Sequence, residues 1–292
     1  MRIAVFGKQF GDAFNETCIR LFRILKENNV EVVIYRKFYE YLKGSIGLEH
    51  NAAGTFENQD EVRNADLFFS IGGDGTFLET VTFVKDSGVP IVGINSGRLG
   101  FLADISKDEI ESALKDILEG RYHIRKRDLL EARTNKGEFI PLNFALNELA
   151  VTKIDTSAMI TIHTYFNSEY VNSYWADGLI ISTSTGSTAY SLSVGGPILH
   201  PQTSNFIITP IAPHNLTVRP MVVPNDLEVT LKIEGRAGKF LAALDSRNMV
   251  LNDDVIIYIK KAAFSINVVE LNDHSFYATL RNKLMWGVDK RN

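Results

Sequence analysis

The residues best suited to chemistry lie in "SIGGDGTFLE", Ser70 to Glu79, where Gly72, Gly73 and Gly75 crowd around Asp74 straight after an apolar run. The stretch "ADLFFSIGG" predicts a buried strand, Leu67 to Ile71, because a short aromatic and aliphatic run ends at a glycine pair. "TFLETVTFV" predicts a helix, Thr76 to Val84, with Phe77, Val81 and Val84 at helical spacing and Thr76 as its cap. Strand, glycine turn and helix N-terminus together offer free N–H groups beside a positive dipole end, which suits an anion. A carboxylate in that position repels a phosphate unless it handles a metal or a proton. Taken by itself, the turn also reads as a tight corner.

A second block, "DGLIISTSTGSTAYSLSVGGPILHP" from Asp177 to Pro201, is dense in Gly, Ser and Thr between apolar runs. Hydroxyls and backbone donors from Thr185 to Thr188 suit a polar ligand, and Tyr190 can stack or hydrogen-bond. The alternative is a solvated serine-rich loop, which the flanking "LII" and "GGPIL" disfavour. Three shorter pieces stand out beside it: "NSGRLGFL" (Asn95 to Leu102), "LNELAV" (Leu146 to Val151) and "PIAPHNLTVRPMVVP" (Pro210 to Pro224). His214 and Arg219 belong to the last of these, and nothing near His214 in sequence completes a metal site. The chain has no G-x-x-x-x-G-K-[ST] loop, no H-E-x-x-H helix and no G-x-S-x-G elbow, and its first turn, "GKQFG", lacks the full G-x-G-x-x-G pattern.

The elements that must position these residues fall into two grammars. Residues 1 to about 120 alternate strands and helices: "RIAVFG", a helix with Phe14, Cys18, Leu21 and Leu25 on one face, "VEVVIYR", the strand and helix around Asp74, "VPIVGIN", and a helix from Lys107 to Leu118. "KGSIGLEHNAAGTFENQDEV", Lys43 to Val62, reads as a surface loop. Such alternation implies a parallel sheet covered on both faces, with ligands at the carboxyl ends of its strands. From residue 121 to about 274, period-two stretches predict an antiparallel β region, with turns at Asn135-Lys136-Gly137 and Asn167-Ser168 and a hairpin-like turn near Gly235 to Gly238. The last residues, "SFYATLRNKLMWGV", predict a helix, and the segment from about 275 to 292 is expected to pack back on the first domain. "RYHIRKR", Arg121 to Arg127, reads as a solvated junction.

Composition excludes several classes. The chain has 292 residues, 45% hydrophobic and 23% charged, with a net charge of −4, so it has no basic field for nucleic acid. No run approaches the roughly 20 apolar residues of a membrane span, and the N-terminus reads as a strand rather than a leader. Cys18 is the single cysteine, expected as a core residue in a cytoplasmic protein.

The glycine turn resembles the "GGDGT" signature shared by NAD kinases and diacylglycerol and sphingosine kinases. The second block closely resembles the "DG…STPTGSTAYSLSAGGPI" signature of NAD kinases, and the three shorter pieces occur in that family's order. The resemblance implies an α/β N-terminal domain with a parallel, Rossmann-like sheet and a C-terminal antiparallel domain of β-sandwich type. It implies transfer of the γ-phosphoryl of ATP to the 2′-hydroxyl of the adenosine ribose of NAD, giving NADP. Mg2+, or another divalent metal, would be bound mainly through the nucleotide phosphates, without a dedicated protein site. By the same resemblance Asp74 assists the attacking hydroxyl, and Gly72, Gly73, Gly75 and Thr76 receive phosphate. Phe101, Asn147, Glu148, Thr185, Thr188, Ala189, Tyr190, Ser193, His214, Asp245 and Arg247 line the dinucleotide, and Asp177 reaches its nicotinamide end in a site completed by a neighbouring subunit of a dimer or tetramer. Two positions depart from the family. Ser184 replaces a usual proline, which implies a looser loop, and "ALDSRNMVL" replaces "DGQ", which puts Arg247 near a phosphate or dinucleotide contact. The competing readings are a lipid kinase, which lacks support from any basic amphipathic helix or lipidation motif here, and a non-catalytic NAD(P)(H) sensor, which is expected to lose Asp74.

Overall fold

The glycine turn leaves the parallel part of a larger mixed sheet. The structure, a computed structural model, describes residues 1–48, 52–97, 100–137, 142–154 and 158–285. The chain divides into two compact units, residues 1–126 with 266–292, and residues 127–265. The sequence placed the divisions at 120 and near 274.

In the first unit, β1 (Arg2–Gly7), α1 (Asn15–Glu27), β2 (Glu31–Tyr35), α2 (Arg36–Ile46) and β3 (Gly54–Phe56) run outward from the sheet centre. β4 (Leu67–Gly72), α3 (Asp74–Val84), β5 (Ile91–Asn95) and α4 (Ile110–Leu118) then continue on the other side of β1. β4 pairs with β1 from Ile3↔Leu67 to Gly7↔Ile71, so the strand order reverses between these two strands. A sheet of this kind binds ligands at the carboxyl ends of its strands, at such a switch point. Both "GKQFG" and the glycine turn leave the sheet there. All six residues of β4 are buried, as expected of a parallel strand covered on both faces. Val5, Phe69, Ile71 and Val92 pack in one core with Cys18, Leu21, Phe22 and Leu25 of α1 and with Leu114 and Ile117 of α4. Burial pushes the Cys18 thiol up to about 12, so it behaves as an inert small hydrophobe.

Two parts of this unit differ from the sequence reading. The expected loop from Lys43 to Val62 holds the end of α2 and all of β3, whose edge pairing with β2 (Ile34↔Thr55) is a tertiary event with no local periodicity. Residues 49–51 of it lie outside the described residues. α3 also begins at Asp74 with Gly73 as its cap, so Thr76 is a buried first-turn residue and not the cap.

The second unit is two antiparallel sheets. β6 (Tyr122–Thr134), β7 (Phe144–Ala145), β8 (Glu148–Lys153), β9 (Ile160–Phe166), β10 (Glu169–Ala176) and β11 (Gly178–Thr183) precede the short α5 (Tyr190–Ser193). β12 (Asn205–Ile211), β13 (Met221–Pro224), β14 (Val229–Gly235), β15 (Lys239–Leu244), β16 (Arg247–Asn252), β17 (Ile256–Leu271) and α6 (Phe276–Leu284) complete the chain. One sheet runs β13-β12-β11-β8-β15-β16, and the other contains β10-β9-β14-β17. Leu149, Val151, Ile181, Phe206 and Phe240 of the first pack on Ile162, Tyr174, Val229, Leu231 and Ile257 of the second, a β-sandwich core. Asn167 and Ser168 both take positive φ (47° and 73°), as a tight two-residue hairpin between β9 and β10 demands.

The turn near Gly235 to Gly238 is not a hairpin. β14 pairs with β9 and β17, whereas β15 pairs with β8 and β16, so the chain changes sheets there. β17 is likewise not antiparallel throughout: Val268 pairs parallel with Ile91 in the first unit. α6 belongs to the first unit, and the "WGV" that ends the expected helix lies outside the described residues.

Candidate active site

Asp74 opens α3 immediately beyond β4, where the helix dipole and the free N–H groups of the first turn lie. Its carboxylate does not point at an empty cradle. Oδ1 accepts from the backbone N–H of Leu102 (2.9 Å) and Ala103 (3.1 Å), and Oδ2 accepts from Phe101 N–H (3.0 Å) and from Lys283 Nζ (3.4 Å). Gly100 makes this approach possible, because a Cβ there would fall 1.9 Å from Asp74 Oδ1. Gly72 has φ +157°, and a Cβ on it would meet Thr76 Oγ1 at 2.3 Å. Cβ atoms on Gly73 or Gly75 would meet nothing within 4 Å, so these two glycines leave open space in front of the helix start. Arg98 and Leu99 of the "NSGRLGFL" stretch lie outside the described residues.

A cavity of about 680 Å3 opens in the same unit at the carboxyl ends of β1 and β2. Its walls include Phe6, Tyr35, Phe38, Tyr41 and Phe83, with Lys8, Lys37 and Glu79 as the charged groups. Lys8 pairs with Glu79. Helix α3 thus carries Asp74 at its start and cavity-lining Glu79, Thr82 and Phe83 further along.

In the second unit, Asp245 repeats the pattern of Asp74. Its carboxylate accepts the N–H groups of Leu146 (3.0 Å), Asn147 (2.9 Å) and Glu148 (3.3 Å), and Asp245 itself takes a positive φ of 51° to do so. Burial pushes its carboxyl up, against the three N–H groups and Arg247, which hold it down. Glu148 is pushed up to about 8, first by burial and then by the adjacent Asp245, so it holds a proton at neutral pH. Glu148 Oε2 and Thr185 Oγ1 are buried without a hydrogen-bond partner. Two such orphans among candidate ligand residues mark a place where a polar molecule can complete the bonding. Gly186 lies so close to Asn147 that a Cβ would meet its carbonyl oxygen at 2.2 Å, which ties the "STSTGST" turn to the Asn147–Glu148 strand end.

Asp177 and His214 separate from that group, whereas the backbone N–H of Tyr190 donates to the Glu148 carboxyl. Asp177 and His214 line a cavity of about 370 Å3 with Lys153, Trp175 and Arg236. Asp177 pairs with Lys153 at 2.7 Å, and the His214 ring lies 5.0 Å from Trp175. Tyr190 and Ser193 are exposed, and Thr188 and Ala189 are half-buried in the turn before α5. Arg219 folds back to donate to the carbonyls of Leu216 and Val218.

Ser184 does not loosen its loop. Its hydroxyl donates to the Thr203 carbonyl at 2.7 Å and ties the turn to the segment entering β12. Arg247 is directed at the carbonyls of Leu142 (2.6 Å) and Phe144, and stands 5.3 Å over the Phe144 ring.

Among the described residues no group of three or more His, Cys, Asp and Glu side chains can hold a metal ion.

Sequence reasoning passed over two features of the first unit. Lys283, on α6, reaches Asp74, and its ammonium lies 4.5 Å over the Phe101 ring. His274 sits between Asp104 (3.1 Å) and Glu109 (3.4 Å), which raise its pKa to about 10. The Ser106–Glu109 capping box was readable from spacing, but nothing local marks either basic residue as part of a site.

Comparison with known proteins bears on the fold and the family. The yeast NADH kinase solved with NADH superposes with a TM-score of 0.87 over 99% of this chain and 89% of its own, at 22% identity, which is a likeness of fold. The NAD kinase of Archaeoglobus fulgidus solved with ATP gives a TM-score of 0.76 at 28% identity, covering 98% of this chain and 99% of its own. Fold and glycine turn together define a phosphotransferase. The family description "ATP-NAD kinase N-terminal domain" matches residues 3–122, and "ATP-NAD kinase C-terminal domain" matches residues 146–271. The NAD kinases of Flavobacterium psychrophilum and Cytophaga hutchinsonii are 48% and 46% identical over the whole of both chains. The chain belongs to the ATP–NAD kinase family.

Proposed function

We propose that the protein transfers the γ-phosphoryl of ATP to the 2′-hydroxyl of the adenosine ribose of NAD, with Asp74 accepting the hydroxyl proton. The observation that carries this is the Asp74 carboxylate, fixed at the head of α3 by three consecutive backbone N–H groups beside an open glycine turn. An alcohol is a weak nucleophile at neutral pH, and a positioned base typically contributes about 10²- to 10⁴-fold. Most of the remaining acceleration comes from positioning and charge stabilisation, because phosphoryl transfer asks little covalent work of a protein.

ATP fits the family as donor, and the aromatic-walled cavity beside Lys8 and Lys37 is of a size that accepts a nucleotide base. A divalent metal enters with the nucleotide as part of the substrate, where it neutralises phosphate oxygens. On the dinucleotide side, protonated Glu148 can donate a hydrogen bond and Thr185 can give or accept one, and both have bonding to complete. Phe101, Asn147, Thr188, Ala189, Tyr190, Ser193 and His214 complete the proposed NAD set, with Asp177 at the nicotinamide end and Asp245 as the support beneath Asn147 and Glu148. The protein is proposed to work as a dimer or tetramer in the cytoplasm. No helix among the described residues is long and apolar enough to cross a membrane.

The test is a coupled assay. Purified protein is given ATP, a magnesium salt and either NAD or NADH, and the product is read with enzymes specific for the 2′-phosphorylated forms. NADP formation from NAD supports the reading. Phosphorylation of NADH alone, or none with either acceptor at saturating ATP, contradicts it.

A further inference from the structure

In the free protein every lone pair of Asp74 is spoken for. A carboxylate offers about four acceptor positions, and Leu102, Ala103, Phe101 and Lys283 fill them. If the proposed function holds, the attacking hydroxyl needs one of the four, so one donor must leave.

Three of them cannot. Leu102 and Ala103 are buried, and the Leu102 carbonyl packs so tightly on β5 that a Cβ on Gly93 would meet its oxygen at 2.3 Å. The carbonyl of Ala103 accepts from Asn95 Nδ2 at 3.2 Å, and Ile105 bridges back to β5 through the Asn95 N–H at 2.7 Å. Phe101 N–H belongs to the same short segment. Lys283 is different in kind: a point charge on a flexible four-carbon stem, 31% exposed, making the longest of the four bonds. From the same position its ammonium lies 4.5 Å over the Phe101 ring, so the Asp74 bond is not its only contact.

The helix that carries Lys283 is pinned at its other end. Ser275 caps α6 by accepting from Ala278 N–H at 3.2 Å, and the preceding His274 is gripped by Asp104 and Glu109. Asp104 directly follows the segment that holds Asp74. So α6 starts fixed to the Asp74 segment and ends with a cation that can swing.

We infer that Lys283 is a further catalytic residue, an exchangeable cation that fills the Asp74 lone pair at rest and moves to the phosphoryl group of the donor when the acceptor hydroxyl takes its place. The hydroxyl proton passes to Asp74 Oδ2 as the ribose O–P bond forms. The bond from the γ-phosphorus to the bridging oxygen breaks, and ADP leaves with that electron pair. Lys283 keeps its protons throughout and balances charge on the phosphoryl oxygens.

The experiment compares Lys283→Met, which keeps the stem and removes the charge, with Lys283→Arg and Asp74→Asn, all in steady-state kinetics with calorimetric NAD binding and thermal melts. Lys283→Met should lose about 10²-fold in kcat, the scale of one lost charge-stabilising group, with a raised KM for ATP and unchanged NAD affinity. Lys283→Arg should recover much of that loss. A wild-type kcat in Lys283→Met with only a lowered melting temperature would reduce the lysine to a tether and overturn the inference, as would a raised kcat, which marks a mere blocker. Either result beside an inactive Asp74→Asn leaves the proposed function standing. Full turnover in Asp74→Asn removes both.

Discussion

At the scale of single residues, two aspartates do the same structural work in unrelated settings. Asp74 and Asp245 each accept three consecutive backbone N–H groups, from 101–103 and from 146–148. The residue types and glycine spacing around Asp74 were legible in the sequence because the turn is local. Its donors were not, since they come from 27 to 29 residues away as backbone N–H, and Lys283 from 209. Backbone donors carry no side-chain signature. Gly100→Ala should therefore be costly out of proportion to its size. Its Cβ collides with the Asp74 carboxylate, so about 1–3 kcal/mol of stability should be lost, the usual scale of overpacking, and turnover should fall with it; melts and the coupled assay read both. Glu148 makes a prediction of opposite sign for stability. Its folded pKa of about 8 lies above the ordinary value of 4.5, so the folded state binds the extra proton between those values and stability falls as pH rises through the window. Glu148→Gln should remove that slope and be more stable than wild type at pH 8–9 by a few kcal/mol, at 1.36 kcal/mol per unit, while binding NAD more weakly. Equal pH slopes in denaturant melts of the two proteins would contradict the protonated assignment.

At the scale of elements, local pattern and tertiary choice part company. The α/β alternation, the Lys107–Leu118 helical stretch and the Asn167-Ser168 hairpin were all readable, because helical spacing and positive-φ turn residues are local properties. The sheet change after Gly235 was not, because β14 and β15 have the same period-two pattern as a true hairpin and differ only in the partners they choose. The three-residue β3 had too few residues to show a period. The corner between β17 and α6 depends on His274. Its pKa is raised to about 10 from 6.5, so its contribution is fully present below about 6.5 and is lost as pH rises toward and through 10. His274→Gln should melt below wild type at pH 6–7, with the gap closing as pH approaches 10. A constant gap across that range would mean that packing rather than charge holds the corner.

At the scale of the whole molecule, the chain leaves its first unit at 126 and returns at 266, so the helix carrying Lys283 is made from residues furthest in sequence from those of the glycine turn. Each unit has its own core, one parallel and helix-covered, the other a sandwich of antiparallel sheets. The family assignment follows from matches that span both units. The chemistry proposed for it rests on one carboxylate. The most direct measurement is NADP formation by Asp74→Asn against wild type at saturating NAD and ATP, with thermal melts alongside. The asparagine keeps an acceptor for Leu102 and Ala103 but sets an NH2 against the Phe101 N–H, so a modest loss of stability, on the order of 1–2 kcal/mol, is expected in any case. The expected result is a folded variant that still binds NAD and has lost at least about 10²-fold in turnover. A folded variant with turnover near that of wild type would show that Asp74 only holds its loop.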